Sequence, residues 1–293
     1  MSSKYACDNE KENCSCKICG KNTTYLYTEF RDGLEYTLRN CTNCGTIQTN
    51  EHYAELSPDF TTLTRESLGS YLVFMNRGHK RKAYEKYLSL LRLEGKERTD
   101  DIHVLDVGCG TGGFIEFLNR FDISCSGFDA SQAQVEYAQE CGLDVVLASS
   151  STEYLFVHGG AFNRCSHVTL WDVLEHIRDP EKFLREVGEL LKEEGQIFIS
   201  VPSSGGHWWK MWAYRLAGKK YSFDPWEHVF FYNVESLKIL LDRCGYRVIG
   251  HGVVPCYERD SLNVVEFARR VFFKILVLMP SSHPQIYLQA EKN

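Results

Sequence analysis

Two hydrophobic rhythms alternate along this chain. Short continuous apolar runs, the mark of buried strands, are separated by stretches where apolar residues return every three or four positions, the mark of helices. Residues 102–107 read as a strand leading into a helix over 113–120. A second strand follows at 124–128, then a helix over 131–141 with Ser131 at its N-cap and Gly142 beyond its end. Residues 143–147 and 165–170 read as further strands, 181–192 as an amphipathic helix closed by Gly195, and 196–201 as a fifth strand ending at Pro202. After an aromatic interruption at 206–226 come helix 234–244, strand 246–252, helix 261–278 and strand 285–290. This strand–helix alternation predicts an α/β fold with a parallel sheet covered on both faces.

The first hundred residues have a different texture. Two β-like stretches, 25–30 and 36–40, are joined by Arg31-Asp32-Gly33. From about 62 to 93 the pattern is helical, through Leu68, Tyr71, Leu72 and Met75 and then Tyr84, Tyr87, Leu88 and Leu91. A charged run at 95–101 reads as a linker. The expected organisation is therefore a small unit at 1–50, a helical cap and linker at 51–100, and an α/β domain at 101–293 with an aromatic lid insert around 204–233.

The small unit carries six of the twelve cysteines. Cys16-x-x-Cys19 and Cys41-x-x-Cys44 are separated by 21 residues, and Gly20 and Gly45 directly follow the pairs. That is the spacing of a tetrahedral four-cysteine zinc ribbon, in which each turn offers two thiolates and the glycine permits the tight knuckle. A short segment with few core aliphatics also needs a metal to fold. Four thiolates leave zinc no open position, so the expected role is structural. Cys7 and Cys14 are spare. The other six thiols stand singly, which suits a reducing, cytoplasmic setting, and the polar opening MSSKYACDNEKENC lacks a signal-peptide apolar region.

Charge narrows the partners. A net charge of -6 disfavours a chain built to wrap nucleic acid, and residues 1–50 balance six basic against six acidic side chains. No run approaches the roughly 18 apolar residues of a membrane span. The insert HWWKMWAYRLAGKKY places Trp208, Trp212 and Leu216 on one helical face, and Arg269–Lys274 adds a second basic-aromatic helix. Local core, a homodimer surface, a lid over a greasy or sugar acceptor, and peripheral membrane contact all remain open.

The strongest chemical signal is the run VLDVGCGTGGF at 104–114. Gly108, Gly110 and Gly113 satisfy G-x-G-x-x-G, in which glycines let the backbone turn off a strand and approach a nucleotide at a helix N-terminus. Asp129, 21 residues beyond Gly108, is placed to bridge two ribose hydroxyls. Dinucleotide enzymes share both features. Asp106 tips the balance, because a carboxylate at the strand tip suits a cationic ligand better than a pyrophosphate.

LDVGCGTG, then FDAS, then WDVLEHIRDPEKFLREVGELLKEEGQIFISVPS resemble the class I S-adenosylmethionine-dependent methyltransferases. Within them the chain looks like the small-molecule subgroup that includes ubiquinone-biosynthesis O-methyltransferases and zinc-ribbon deoxysugar methyltransferases. The resemblance is close over 101–203 and looser over 227–249. It implies a Rossmann-like seven-stranded sheet in the order 3-2-1-4-5-7-6. It also implies that Asp106, Gly108, Cys109 and Gly110 border the methionine part of the cofactor, Asp129 and Ala130 the ribose, and Trp171 its flank. Where the family often has an acid beside the adenine, this chain has Ala148-Ser149-Ser150, so Ser149 is the expected adenine contact.

Methyl transfer to a hydroxyl needs positioning and removal of a proton. His228 in WEHVFFY and His176 in WDVLEH are the candidate bases, with Asp172, Glu175, Glu227 and Tyr232 able to orient them. Each histidine is equally compatible with a hydrogen-bonded structural role. The expected activity is O-methylation of a small-molecule or lipid-linked acceptor. C-methylation of a nucleotide-linked sugar is the alternative enzyme, and a non-catalytic zinc-ribbon scaffold the alternative of another class.

Overall fold

The computed structural model describes residues 14–49, 68, 79–93, 102–157, 165–216, 218–253 and 285–293. The expected helix at 261–278, the basic-aromatic segment 269–274, Cys7, and most of the helical pattern before residue 79 lie outside the described residues.

The strands of the main sheet are β4 (His103–Val107), β5 (Ser124–Asp129), β6 (Val145–Leu147), β7 (Cys165–Trp171), β8 (Leu191–Pro202), β10 (Tyr246–Val253) and β11 (Gln285–Lys292). They lie in the order β10-β11-β8-β7-β4-β5-β6. Numbered along this sheet alone, the order is the 3-2-1-4-5-7-6 that the resemblance implied, read from the other edge. β4 to β8 pair in parallel, and β11 runs antiparallel between β8 and β10.

Helices follow the parallel strands. They are α2 (Gly113–Asn119) after β4, α3 (Gln132–Glu140) after β5, α4 (Ser151–Val157) after β6 and α5 (Pro180–Gly188) after β7, preceded by α1 (His79–Leu93). Local chemistry starts them: Asp179 caps α5 by accepting from Lys182 N, with Pro180 in the first turn, where its missing N–H costs nothing. Each sheet face has its own core. One is built on Leu105, Val168, Ile197 and Leu240, the other on Val104, Phe114, Ile115 and Phe198. α1 closes the second face through Tyr84 and Tyr87, which meet the Trp171 ring with centroids 5.0 and 6.2 Å away.

Two boundaries differ most from the sequence reading. The helix expected to run to 192 stops at Gly188, and β8 begins at Leu191. Leu190 and Leu191 continue the helical spacing, but Leu191 pairs with Cys165 across the sheet and both leucines are fully buried there. Gly195 therefore lies inside a strand rather than beyond a helix. The segment after β6, to which the sequence pattern assigned no element, forms α4.

The small N-terminal sheet comprises β1 (Thr23–Arg31), β2 (Leu34–Cys41) and β3 (Ile47–Thr49). Its fourth strand is β9 (Phe230–Phe231), supplied by the aromatic insert, which also contains α6 (Ser204–Leu216). α7 (Val234–Arg243) follows β9 directly, started by a capping box between Asn233 and Ser236.

Candidate functional site

The glycine loop leaves the carboxyl end of β4, an interior strand flanked by β7 and β5. Gly108, Gly110 and Gly112 have φ of 70, 55 and 77°, the left-handed region that disfavours side chains. A Cβ on Gly108 would come 2.6 Å from Val173 Cγ2, and one on Gly112 would come 2.5 Å from Leu143 Cδ1. Gly113, the third glycine of the sequence motif, starts α2 with open space beside it. The demanding positions are thus 108, 110 and 112.

Asp129 ends β5 beside this loop. Its carboxylate accepts from Gly110 N and from Ser131 N, each at 2.8 Å, so it fixes the loop to the next strand. Burial raises its pKa, against these backbone donors, which lower it. Ala130 follows, exposed. Asp106 is buried in β4 and accepts from Thr169 Oγ1 at 2.7 Å; burial pushes its carboxyl up to about 7. Cys109 is buried within the loop. Trp171 is packed against Phe114 and Phe198, with an indole Nε1 that has no hydrogen-bond partner among the described residues. Ser149 donates from both its backbone N and its hydroxyl to Glu153, each at 2.7 Å. An acid therefore does stand after the third strand of the sheet, one helical turn later than the sequence reading looked for it.

A second group of side chains gathers at the same end of the sheet, past the tip of β7. Asp172 has a left-handed φ of 55°. It pairs with Lys80 of α1 at 3.1 Å and accepts from Gln285 Nε2 of β11 at 2.8 Å. A strained residue held from two other elements is a common mark of a working site. One helical turn, Leu174–His176, then brings Glu175 and His176 against the segment preceding β9. Val229 N donates to Glu175 O at 2.8 Å, and His176 Nδ1 lies 2.5 Å from Glu227 O. The His176 and His228 rings stand 5.0 Å apart.

These groups are unusually dry. Glu175 is buried, and neither carboxyl oxygen has a hydrogen-bond partner among the described residues. Burial, and then the neighbouring Asp172, push its carboxyl well above the usual carboxylate range. Burial lowers both imidazoles, that of His228 to about 3. Glu175, His176 and His228 each offer one donor atom, all within 4.8 Å of one another, a set with the chemistry to hold a divalent cation.

The sign of the His228 shift gives a testable result. Unfolded, this ring takes a proton near 6.5; folded, it resists protonation until about 3. Its burial therefore favours the fold fully above 6.5 and penalises it progressively as pH falls through that window. Hydrogen exchange at the His228 ring carbon, which follows the imidazole's own titration, is expected to show a midpoint well below 6.5. A midpoint at the ordinary value would mean that the ring is solvated.

Sequence reasoning picked out His176, His228 and Asp172, and the structure brings them together. It missed Lys80, hidden in the charged run HKRKAYEK, and Gln285, which approaches from the far end of the chain. It also missed His207 of α6, which stacks on Phe223 with centroids 5.1 Å apart and lies 2.8 Å from the Tyr221 hydroxyl. The available signal for Glu175 was a carboxylate wedged between apolar Leu174 and a histidine.

The two cysteine knuckles form as expected. Cys16 and Cys44 Sγ are 3.7 Å apart, and Cys19 and Cys41 Sγ 3.4 Å. All four lie within 4.8 Å of one another. Zn–S bonds of about 2.3 Å in a tetrahedron place sulfurs about 3.8 Å apart, so the cluster fits that metal. Asn43 N and Cys44 N point at Cys41 Sγ, as donors to a thiolate do.

A doubly covered seven-stranded sheet with a glycine loop after the first of its parallel strands is the class I methyltransferase fold. A family model described as a methyltransferase domain matches residues 78–251, more than half of the chain, and the chain belongs to that family. Ubiquinone biosynthesis O-methyltransferase of Bartonella quintana is 26% identical over 174 residues, 56% of this chain and 68% of that protein. The Caulobacter vibrioides protein of the same name is 32% identical over 124 residues, 40% and 48% of the two chains. The chain spans about half the length of most of these relatives. Among solved structures, the plantazolicin methyltransferase BpumL, in complex with a monoazolic desmethylPZN analog and SAH, has a TM-score of 0.54 at 14% identity, covering 82% of this chain and 95% of that one. Magnesium protoporphyrin IX methyltransferase from Synechocystis PCC 6803 with bound SAH has a TM-score of 0.51 at 13% identity, covering 73% and 84%. At such identities the likeness is one of fold.

Proposed function

We propose that this chain transfers a methyl group from S-adenosylmethionine to a hydroxyl of a small-molecule or lipid-linked acceptor. The observation that supports this best is that the Asp129-braced glycine loop and the His176–His228 pair share one end of the sheet, where ligands of open α/β sheets bind. In this reading Asp106, Gly108, Cys109 and Gly110 face the methionine part, Asp129 and Ala130 the ribose, Ser149 with Glu153 the adenine, and Trp171 the flank of the site. S-adenosylmethionine, when bound, supplies an electrophilic sulfonium methyl. The S–CH3 bond breaks as the O–CH3 bond forms, and the hydroxyl proton passes to a neutral imidazole, which we assign to His228 with His176 beside it. Asp172 holds the turn that carries His176. Cys16, Cys19, Cys41 and Cys44 hold a structural zinc.

C-methylation of a nucleotide-linked sugar is the second reading, favoured by the cysteine ribbon pairing with the strand next to His228. The small-molecule reading disfavours nucleic acid as a partner, and the reducing chemistry of the thiols suits the cytoplasm. No helix among the described residues is long and apolar enough to cross a membrane. Trp212, Tyr214 and Leu216 are exposed on α6, where a second copy or a membrane surface would meet them.

His228→Ala tests the assignment. Methyl transfer from labelled S-adenosylmethionine into an acceptor extract is expected to fall about a hundredfold or more, with S-adenosylhomocysteine affinity unchanged. Equal loss of both would make His228 structural.

A further inference from the structure

The cysteine ribbon does more than terminate the fold: its last strand edge holds the residues around His228. Thr49 N donates to Val229 O at 3.0 Å, while Val229 N donates to Glu175 O at 2.8 Å. Val229, the residue after His228, is thus bonded on one side to the ribbon and on the other to the turn bearing His176. The pairing continues as Gln48↔Phe230 and Ile47↔Phe231. Gln48 also reaches back to the first knuckle, where its side chain accepts from Lys17 N at 3.0 Å and donates to Ser15 O at 3.3 Å. The strand that carries the register of β9 is therefore bonded to the turn that carries two of the thiolates.

Three further contacts point the same way. Asn233, the cap of α7, donates to Cys44 O at 2.8 Å, and Arg243, at the other end of that helix, donates to Ile18 O at 2.6 Å. Both knuckles are thereby docked on one helix. On the hairpin, Glu29 accepts from Phe223 N at 2.9 Å and from the Ser222 hydroxyl at 2.5 Å, holding the chain that leads into His228. The cofactor loop has different anchors. Gly108 N donates to Phe128 O at 2.9 Å, and Gly110 N to Asp129, both on β5.

We propose that metal loading of the Cys16–Cys19–Cys41–Cys44 cluster positions the acceptor side of the site through the β3–β9 pairing, and leaves the cofactor side largely independent. Gln48, Thr49 and Glu29 are then positioning residues for His228. The proposal rests on the reading of His228 as an acceptor-side residue and of the cluster as a zinc site.

The test compares the zinc-loaded full chain with the same chain stripped by a chelator under reducing conditions, by backbone hydrogen exchange and by titration with S-adenosylhomocysteine. Stripping is expected to raise exchange over residues 222–233 about tenfold or more, with S-adenosylhomocysteine affinity held within about threefold. Unchanged exchange over 222–233, or parallel loss of S-adenosylhomocysteine binding, would overturn the proposal. A zinc-loaded chain that never binds S-adenosylhomocysteine would instead defeat the cofactor reading, while exchange would still report on the coupling. Gln48→Leu provides a folded variant. It is expected to keep one zinc per chain yet raise exchange at 229–231 several-fold, and exchange identical to that of the parent would overturn the coupling.

Discussion

Replacing Asp129 by alanine is expected to weaken S-adenosylhomocysteine binding by about a hundredfold or more. Two losses add. A carboxylate accepting from ribose hydroxyls makes charge-assisted hydrogen bonds, each contributing about 1.5–3 kcal/mol. The same carboxylate ties Gly110 N and Ser131 N at 2.8 Å, so its removal also frees a glycine-rich loop whose order the ligand must then restore. Asp129→Asn separates the two contributions, since an amide oxygen still accepts from one backbone donor but lacks the charge. We expect Asn to fall between parent and Ala in calorimetric titration. Ala binding as tightly as the parent would remove Asp129 from the site.

The second large effect is in the ribbon. Cys41→Ser is expected to reduce bound zinc from about one per chain to near zero and to unfold the knuckles, because structural zinc contributes on the order of 10–16 kcal/mol to small domains of this kind. Cys16, Ile18, Cys41 and Cys44 share a core with Leu237, Leu240 and Leu241 of α7, so the damage should extend to that helix. Metal analysis with limited proteolysis measures both. A parent protein with no zinc, or a serine variant that retains it, would contradict the assignment.

Much of this architecture was legible because buried parallel strands leave continuous apolar runs. VLDV at 104–107, IFISV at 197–201 and their neighbours mark the sheet without help from tertiary context. The strand order was legible only through resemblance, since nothing in one sequence says which strand lies beside which. Where local and long-range preferences disagreed, the long-range pairing won, as at Leu190 and Leu191. α4 was readable in principle: Ser150 Oγ accepts from Glu153 N at 3.2 Å, an S-x-x-E start signal.

The site was half legible. His176 and His228 stood out as residues, but their partnership depends on β9, a two-residue strand that exists only because β3 lies beside it. No periodicity can announce so short a strand. Gly112 rather than Gly113 carries the left-handed turn because α2 starts at Gly113, which is therefore helical, and Gly112 is its N-cap. Glu175 was legible as a residue able to orient a histidine, but not its burial, since its neighbours in space come from residues 227–232.

That the glycine loop holds a methyl donor rather than a dinucleotide is tested most directly by calorimetry. The zinc-loaded full chain is titrated with S-adenosylhomocysteine and, in parallel, with NAD. One S-adenosylhomocysteine site per chain in the micromolar range is expected, with no heat from NAD. Saturable NAD binding, with no response to S-adenosylhomocysteine, would contradict it.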